Sequence, residues 1–598
     1  MPGTIDPRGM RARLRWGVVA TTVAALLMGP ASVPAAQAQP DPVRPVVTGW
    51  LPSWDMATAV RAVEANADLM SEASPFWFTA RASGGRVSIS SAASTSAMDA
   101  VVEDLRGAGV TVIPSVVDGS AARAMATVLK SASGRRAHVA QLVSLVTARG
   151  FDGIELDYEK FAFSDGRATW ATTRPAWVSF VKELGSALHA RGKLLALAVP
   201  VMYDGDRDSS SGYWVYDYAG VSGAVDSLRI MTYDYSVSRP GPISPLSFVR
   251  RTLSYAVTAF PRARIHMGLP AYGRLWVARR ADGTKSISGT CPTSGVPGTT
   301  SFTATKARSY LTTMAGGTTP TIRHDATTGE SVATFRRSYT GTGSKGRSTT
   351  CTVDHVAWWV DAAGVAQRME LVGSYRIAGA AVWHLSGMAV DGWSAIRAYA
   401  QSVAPEPTTV TVTAPATLVS GGSATVRVAA SSAASVPAGA TVRLYRRTVG
   451  TSTWRKVATA RTGATGRATL KVASLARSTQ WRATVSGAWD RLAGSGRAST
   501  AVAAKVRASV STTRPAPGAR VKVGVRVVPR KKGMVVRRQM LVGRTWRTMA
   551  TARTTATGRA TFTFTWPKGQ PRSTYRITTR ATSTLLAGAT PRFTIATR

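Results

Sequence analysis

With 598 residues, 44% of them hydrophobic, the chain is too long for one core and too apolar for wholesale disorder, so several folded domains are expected. Its formal net charge of +44 bears on solubility and on anionic partners, and specifies neither a fold nor one partner. The two cysteines offer no paired-cysteine zinc site.

Residues 11–38 carry a basic segment, RARLRW, then an apolar run, GVVATTVAALLMG, then small residues at Ala36 and Ala38. That order reads as an export signal over residues 1–38. The run is shorter than the ~20 residues a membrane span needs, and no other segment is long and apolar enough. Cys291 and Cys351 do not form a lipid-attachment motif. The mature protein is therefore expected outside the cell, secreted or loosely held at the wall. In that compartment Cys291 and Cys351 suggest one disulfide, with two free thiols as the alternative.

From about residue 45 to 400, apolar strands alternate with amphipathic helices. The expected strands are PVVTGWLPSW, SPFWFTA, GVTVIPSVV, FDGIELDYE, LLALAVPV, VDSLRIMTYDY, RIHMGLPAYG and IAGAAVWHL. Helical stretches such as SAMDAVVEDLRGAG, RRAHVAQLVSLVTARG, PAWVSFVKELGSALHARG and SFVRRTLSYAVTAF lie between them. Eight strands separated by helices predict an α/β fold, a (β/α)8 TIM barrel over 39–402, or failing that an open α/β sheet. After the seventh strand, residues 277–354 are polar and hold both cysteines, which predicts a small inserted subdomain.

SVAPEPTTVTVT then leads into a region rich in Thr, Val, Ala and Arg without helical periodicity. It contains a repeat: TWRKVATARTGATGRATL from Thr453 and TWRTMATARTTATGRATF from Thr545, 92 residues apart, each followed by an aromatic-Arg pair, Trp481-Arg482 and Tyr575-Arg576. Units of that size predict two immunoglobulin-like β-sandwiches, 403–504 and 505–598. Trp454 and Trp546 suit packing in a core or on a sheet face, with sugar stacking as the alternative. After residue 401 the only acids are Glu406 and Asp490. Anionic wall polymers or other polyanions suit such a tail, solubility with an Arg-rich codon bias explains it equally, and no specific nucleic-acid partner is expected.

The fourth expected strand, FDGIELDYEK, carries the chemistry. Glu155, Asp157 and Glu159 fall on one face because side chains alternate with period two. Inward positions of a barrel strand are ordinarily apolar, and three neighbouring carboxylates are costly unless paired. Only Lys160 lies near in sequence, and no loop has the spacing of a calcium-binding hand, so no metal or cofactor is expected. Glu159 lies last and nearest the C-terminal mouth, where barrels place active sites. Asp157 just beneath it would raise its pKa, which suits a general acid for glycosidic cleavage.

FDGIELDYE resembles the DxxDxDxE signature of glycoside hydrolase family 18, the chitinase-like family. GWLPSW, MTYDY, GLPAYGR and AAVWHLSG resemble further landmarks in the same order, over roughly residues 45 to 400. SPFWF, GYWVYDYAGV and HVAWWVDAAGVAQRMELV are most similar to the bacterial branch that includes spore-cortex and cell-wall hydrolases. The resemblance implies that Glu159 is the acid and that Asp157 turns toward the substrate's acetamide nitrogen. It also implies that Tyr233 donates to the acetamide carbonyl and that Asp152 is a buried support, with Met231 and Asp234 shaping the pocket floor. Trp383 resembles the aromatic beneath the reacting sugar. The family's substrate-assisted reaction needs no enzyme nucleophile and retains configuration. Glu155 departs from the usual Asp, and its extra methylene is expected to disturb Asp157.

Trp50, Trp54 and Trp77 suit either the cleft wall or the core, with Tyr203 and Tyr272 as further sugar contacts. Asp204, Asp206 and Asp208 read as a solvated loop, and His355 and His384 as structural. The expected function is a secreted retaining hydrolase of N-acetylglucosamine-containing polysaccharide, peptidoglycan or chitin. The alternative is a weakly active, lectin-like binder on the same fold.

Overall fold

The computed structural model describes residues 43–598, so the expected export signal lies outside the described residues. Eight parallel strands form the central sheet: β1 Val47–Pro52, β2 Met70–Ser83, β3 Ser115–Asp118, β4 Gly153–Asp157, β5 Leu194–Val199, β6 Ser227–Ile230, β7 Ile265–Pro270 and β8 Gly379–Trp383. Val47 on β1 lies opposite Met70 of β2 on one side and Ala380 of β8 on the other, so the sheet closes into the expected barrel. Helices Thr95–Gly107, Ala132–Ala148, Trp170–His189 and Leu246–Ala259 cover it where amphipathic periodicity placed them. Helices Met56–Ala65, Ala362–Tyr375 and Val390–Ser402 complete the outer ring. No helix among the described residues is long and apolar enough to cross a membrane.

Two strands are shorter than their apolar runs. GVTVIPSVV breaks into Thr111–Val112 and Ser115–Asp118 around Pro114, which has no N–H to donate to the ladder. VDSLRIMTYDY is a strand only to Ile230, and Met231–Tyr235 forms an irregular loop over the barrel mouth.

The insertion is an antiparallel sheet with one helix, Ala307–Met314, packed on it. It runs from strand Tyr272–Val277 to strand Ser348–Trp359, wider at both ends than the polar stretch that revealed it. Its first and last strands pair with each other, Gly273 opposite Trp359, and their apolar residues resemble barrel strands in sequence. Cys291 and Cys351 are disulfide-bonded beside buried Tyr339 and Val353, which settles the choice against free thiols.

The tail forms two two-sheet sandwiches. In the first, strands Thr409–Thr413, Gly422–Ser431 and Arg467–Leu475 face a five-stranded sheet built on Thr441–Thr448 and Thr479–Val485. In the second, Lys505–Val510, Arg520–Val528 and Arg559–Thr565 face a four-stranded sheet built on Val535–Val542 and Arg572–Thr579. Alternating Val, Leu and Ala fill the interiors, with Trp481 and Trp566 fully buried. Trp454 and Trp546, expected to pack in a core or on a sheet face, are half-buried with arginines over their rings, the second of these placements.

Candidate active site

Period-two alternation divides β4 and the residues after it into two faces. Ile154, Leu156 and Tyr158 point outward beneath the helices, where Tyr158 stacks with His138 and Phe180. Burial lowers the His138 pKa to about 4, so this histidine is a neutral core residue at physiological pH. Glu155, Asp157 and Glu159 point into the barrel.

Glu155 is completely buried and does have a cationic partner: it is ion-paired to Arg229 of β6, whose other Nη bonds Glu72 of β2 at 2.6 Å. Its Oε1 also accepts from Trp50 Nε1 at 2.5 Å and Ser115 Oγ at 2.8 Å. Burial pushes the Glu155 carboxyl above the usual range while Arg229 pulls it down. Lys160 is the one cation near the acidic row in sequence, and the partner of Glu155 is instead Arg229, remote in sequence but adjacent in the barrel. Both Glu155 oxygens are committed to these partners. The extra methylene spans to them, and none of these bonds involves Asp157.

One step higher, Asp157 is buried, and its Oδ1 has no hydrogen-bond partner. Its carboxyl adjoins that of Glu159, and each acid bears on the titration of the other. Burial, then the charge of Glu159, then that of Glu155, raise Asp157 well above the ordinary carboxyl range. Glu159 is also raised, first by burial and further by Asp234, while the adjoining Asp157 carboxyl opposes the rise. Both carboxyls are thus raised, so the pair holds a proton to higher pH than an ordinary carboxyl does.

The cleft above them has a volume of ≈690 Å³. Tyr233 and Met231 from the loop after β6 line it. Tyr233 fits because residue 268 of β7 is Gly: a Cβ there would come within 2.8 Å of the Tyr233 ring. Burial holds the Tyr233 hydroxyl protonated, so it is available as a donor. Trp383 ends β8, its ring centroid 5.7 Å from Trp50 and 5.3 Å from Phe76, both edge-on. Trp54 stands beside them with 66% of its surface exposed. Tyr203 and Tyr213 close the opposite side.

A second hollow of ≈410 Å³ shares Trp54, Asp234 and Trp383 with the cleft and continues toward the insertion. Tyr272 sits in this hollow rather than in the cleft proper, donating its hydroxyl to Asp234. Arg274 also bonds Asp234 at 2.7 Å, and Lys306 stands exposed at the rim. No ion pair of the described residues includes Lys306.

Two sequence-derived assignments are corrected. Trp77 is not a cleft residue: it is 3% exposed and packs outward against Phe78 and Phe151, and Phe76 takes the inward place. The pairing of β2 with β3 is irregular between Phe76 and Phe78, so simple alternation does not identify the inward ring. Asp152 is not buried: its side chain is 36% exposed below β4, accepting from Val112 N at 3.0 Å and pairing with Arg106 at 3.2 Å. It ties two strands together at the end of the barrel away from the cleft. Phe76, Tyr213, Arg229 and Lys306 were not found from the sequence, since none belongs to the acidic motif.

The sequence profile described as glycosyl hydrolases family 18 matches residues 80–387. The putative sporulation-specific glycosylase YdhD of Bacillus subtilis (strain 168) is 25% identical over 263 residues, 43% of this chain and 53% of that protein. The cortical fragment-lytic enzyme of the same organism is 23% identical over 257 residues, 42% and 51% of the two chains. This chain thus spans about half the length of these curated relatives. Among solved structures, the chitinase from Chromobacterium violaceum ATCC 12472 aligns with a TM-score of 0.47 at 22% identity, covering 59% of this chain and 98% of that one.

Proposed function

This chain belongs to glycosyl hydrolases family 18, and from that premise we propose that it is a secreted, retaining glycosidase acting on β-1,4-linked, N-acetylglucosamine-containing polysaccharide. The observation that carries this reading is the pair of neighbouring acids, Asp157 and Glu159, both raised by burial at the base of an aromatic-walled cleft. A sugar ring stacks on Trp383 with its acetamide over Asp157 and Tyr233. Asp157 turns its carboxyl to the acetamide N–H, and Tyr233 donates to the carbonyl. The proton then belongs to Glu159. The acetamide oxygen attacks the anomeric carbon, the glycosidic C–O bond breaks, and the leaving oxygen takes the Glu159 proton. The resulting cyclic oxazolinium is opened by water, which gives a proton back to Glu159 and restores the original configuration.

Between the two substrate classes, the second hollow favours peptidoglycan over chitin. Chitin is neutral, whereas the stem peptides amide-linked to the muramic lactyl groups of peptidoglycan carry free carboxylates. Lys306 offers an unpaired ammonium where a glycan leaving the cleft toward the insertion would pass. The basic tail complements this reading as an attachment to anionic polymer at the wall.

The test is turnover of a fluorogenic chitobioside and of purified peptidoglycan by the parent chain and by Glu159→Gln. Loss of turnover with glycan binding retained supports the assignment. Equal rates in the two proteins would remove it.

A further inference from the structure

The tail carries 34 Lys and Arg against two acids, and the second sandwich, from residue 505 onward, contains no acid at all. Of the two acids, Asp490 pairs with Arg491, and Glu406 lies in the connection from the barrel. The cations are not scattered at random over the surface. Lys456, Tyr445, Arg482 and Arg497 form one row across four adjacent strands of the larger sheet of the first sandwich. The row faces outward, since its strand neighbours Leu444 and Ala483 are buried. Directly opposed side chains in such a ladder have Cβ atoms about 5 Å apart, and like charges there are destabilising. Arg482 nevertheless faces Arg497, with no acid within ion-pair distance among the described residues.

These cations are also held in place. The Arg482 guanidinium carbon lies 5.1 Å from the ring centres of both Tyr445 and Trp454. Arg447 lies 4.7 Å from Trp454, and its Nε donates to Gln480 Oε1 at 2.7 Å. At the end of the sheet, Arg447 joins Arg446, Arg455 and Arg477 around a groove of ≈510 Å³ that contains no acid.

The second sandwich repeats the arrangement. Arg576 and Arg592 lie 4.3 and 5.7 Å from Trp546, and Arg576 Nε donates to Gln539 Oε1 at 2.8 Å. Arg482 and Arg576 come from the repeated aromatic-Arg pair, but the second cation does not. Arg447 lies on the strand Thr441–Thr448, whereas Arg592 precedes the last strand of the chain. Covering an indole needs only one side chain. Two guanidiniums on it, recruited from different places in two copies, indicate a requirement for charge.

Resting on the reading that the tail attaches the protein to anionic polymer, we propose that these two Arg-Trp-Arg faces bind one linear polyanion of the phosphodiester-linked polyol type. Guanidiniums take phosphate oxygens as planar forks. The neighbouring Thr459, Thr484 and Ser495, in the adjacent outward row with Arg443, offer hydroxyls to the polyol. Single-stranded nucleic acid fits less well, because proteins hold it by stacking bases on aromatic rings, and these rings already carry guanidiniums. Two faces on one chain give avidity beyond either alone.

The experiment measures binding of the full chain to synthetic poly(glycerol phosphate). Arg447→Gln with Arg482→Gln, and separately Arg576→Gln with Arg592→Gln, should each weaken binding by about ten-fold, and all four together by about a hundred-fold or more. Lys531→Gln with Lys532→Gln removes the same charge from an exposed turn and should cost under about three-fold. A turn variant as damaging as the face variants would overturn the site in favour of diffuse charge. Equally tight, equally Arg-sensitive binding of single-stranded DNA or polyglutamate of matched charge would overturn the ligand class. If melting shows that a Gln variant misfolds, Arg→Lys replacements keep the charge but lose the fork, and a loss beyond three-fold is still expected; full retention would overturn the site. Chitobioside turnover, read on the same samples, should stay at the parent rate. Its absence in the parent would refute the glycosidase and leave this binding result standing.

Discussion

Arg229 in the barrel and Arg482 in the first sandwich occupy opposite electrostatic settings. Arg229 is fully buried, ion-paired with Glu155 and Glu72 and further bonded to Ser74 at 2.5 Å. Arg482 lies on an outward sheet face opposite another arginine and against two aromatic rings. Water and salt screen the second setting, so like charges can accumulate there at modest cost and remain free for a ligand. The first has no such screen, so every charge needs an internal partner, and a proton is retained where one is missing. The proposed catalysis rests on the unpaired acid inside the barrel, and the proposed attachment on the unpaired bases of the tail.

The largest effect should come from the barrel acid. Glu159→Gln keeps the shape and removes the transferable proton, so kcat on the chitobioside should fall by about 10²–10⁴-fold, the usual contribution of general acid catalysis. Glycan binding, followed by tryptophan fluorescence, should remain. No tail substitution should approach this effect on a soluble substrate, and one that did would break the division between the two regions.

Arg229→Met tests the contrast in stability. It leaves Glu155 buried without its cation and Glu72 without its ion-pair partner, so unfolding free energy should drop by about 3–5 kcal/mol. Arg482→Gln relieves a repulsion on a screened surface and should change stability by under about 0.5 kcal/mol. Urea denaturation of both variants, with the barrel and tail transitions followed separately, decides this. Comparable losses would mean that burial does not distinguish the two arginines.

These pairings also mark what the sequence could and could not reveal. The barrel was legible because eight apolar strands kept their spacing, and the acid row because period two places Glu155, Asp157 and Glu159 on one face. Arg229 was hidden because nothing local joins it to Glu155: their contact exists only once β4 and β6 have both entered the barrel. Trp77 was misplaced by the irregular pairing between Phe76 and Phe78. Trp454 and Trp546 were read as filling a core or a sheet face because aromatics usually pack, but no local rule shows that Arg482 and Arg576 would lie on them.

The third effect is a displacement in pH. The charge of Asp234 is one of the causes that raise Glu159, so Asp234→Asn should lower that pKa. The proposed mechanism needs the pair to hold its proton, so kcat/KM should fall as pH rises through that pKa. The alkaline limb of the profile should therefore move to lower pH in the variant. Stability has the same sign: a carboxyl raised on folding favours the folded state at low pH, and that contribution is lost as pH climbs through the raised value. Asp157→Asn should accordingly be more stable than the parent above that pH, though far less active. A limb that stays in place in Asp234→Asn would show that Asp234 does not influence the proton.

The smallest effect expected is at Lys306, which brings the tail's strategy of an exposed, unpaired cation to the rim of the barrel. A single screened contact with a carboxylate contributes about 0.2–1 kcal/mol, so Lys306→Gln should raise KM by roughly two- to five-fold on muramic glycan bearing stem-peptide carboxylates. Its kcat should be unchanged, because the contact is the same in the ground and transition states. On neutral chitooligosaccharide of the same length, neither constant should move. Added salt should erase the difference between parent and variant, as it would for the arginine faces of the tail. A rise in KM on the neutral glycan as well would make Lys306 a wall of the hollow rather than a reader of charge, and the preference for peptidoglycan over chitin would lose its support.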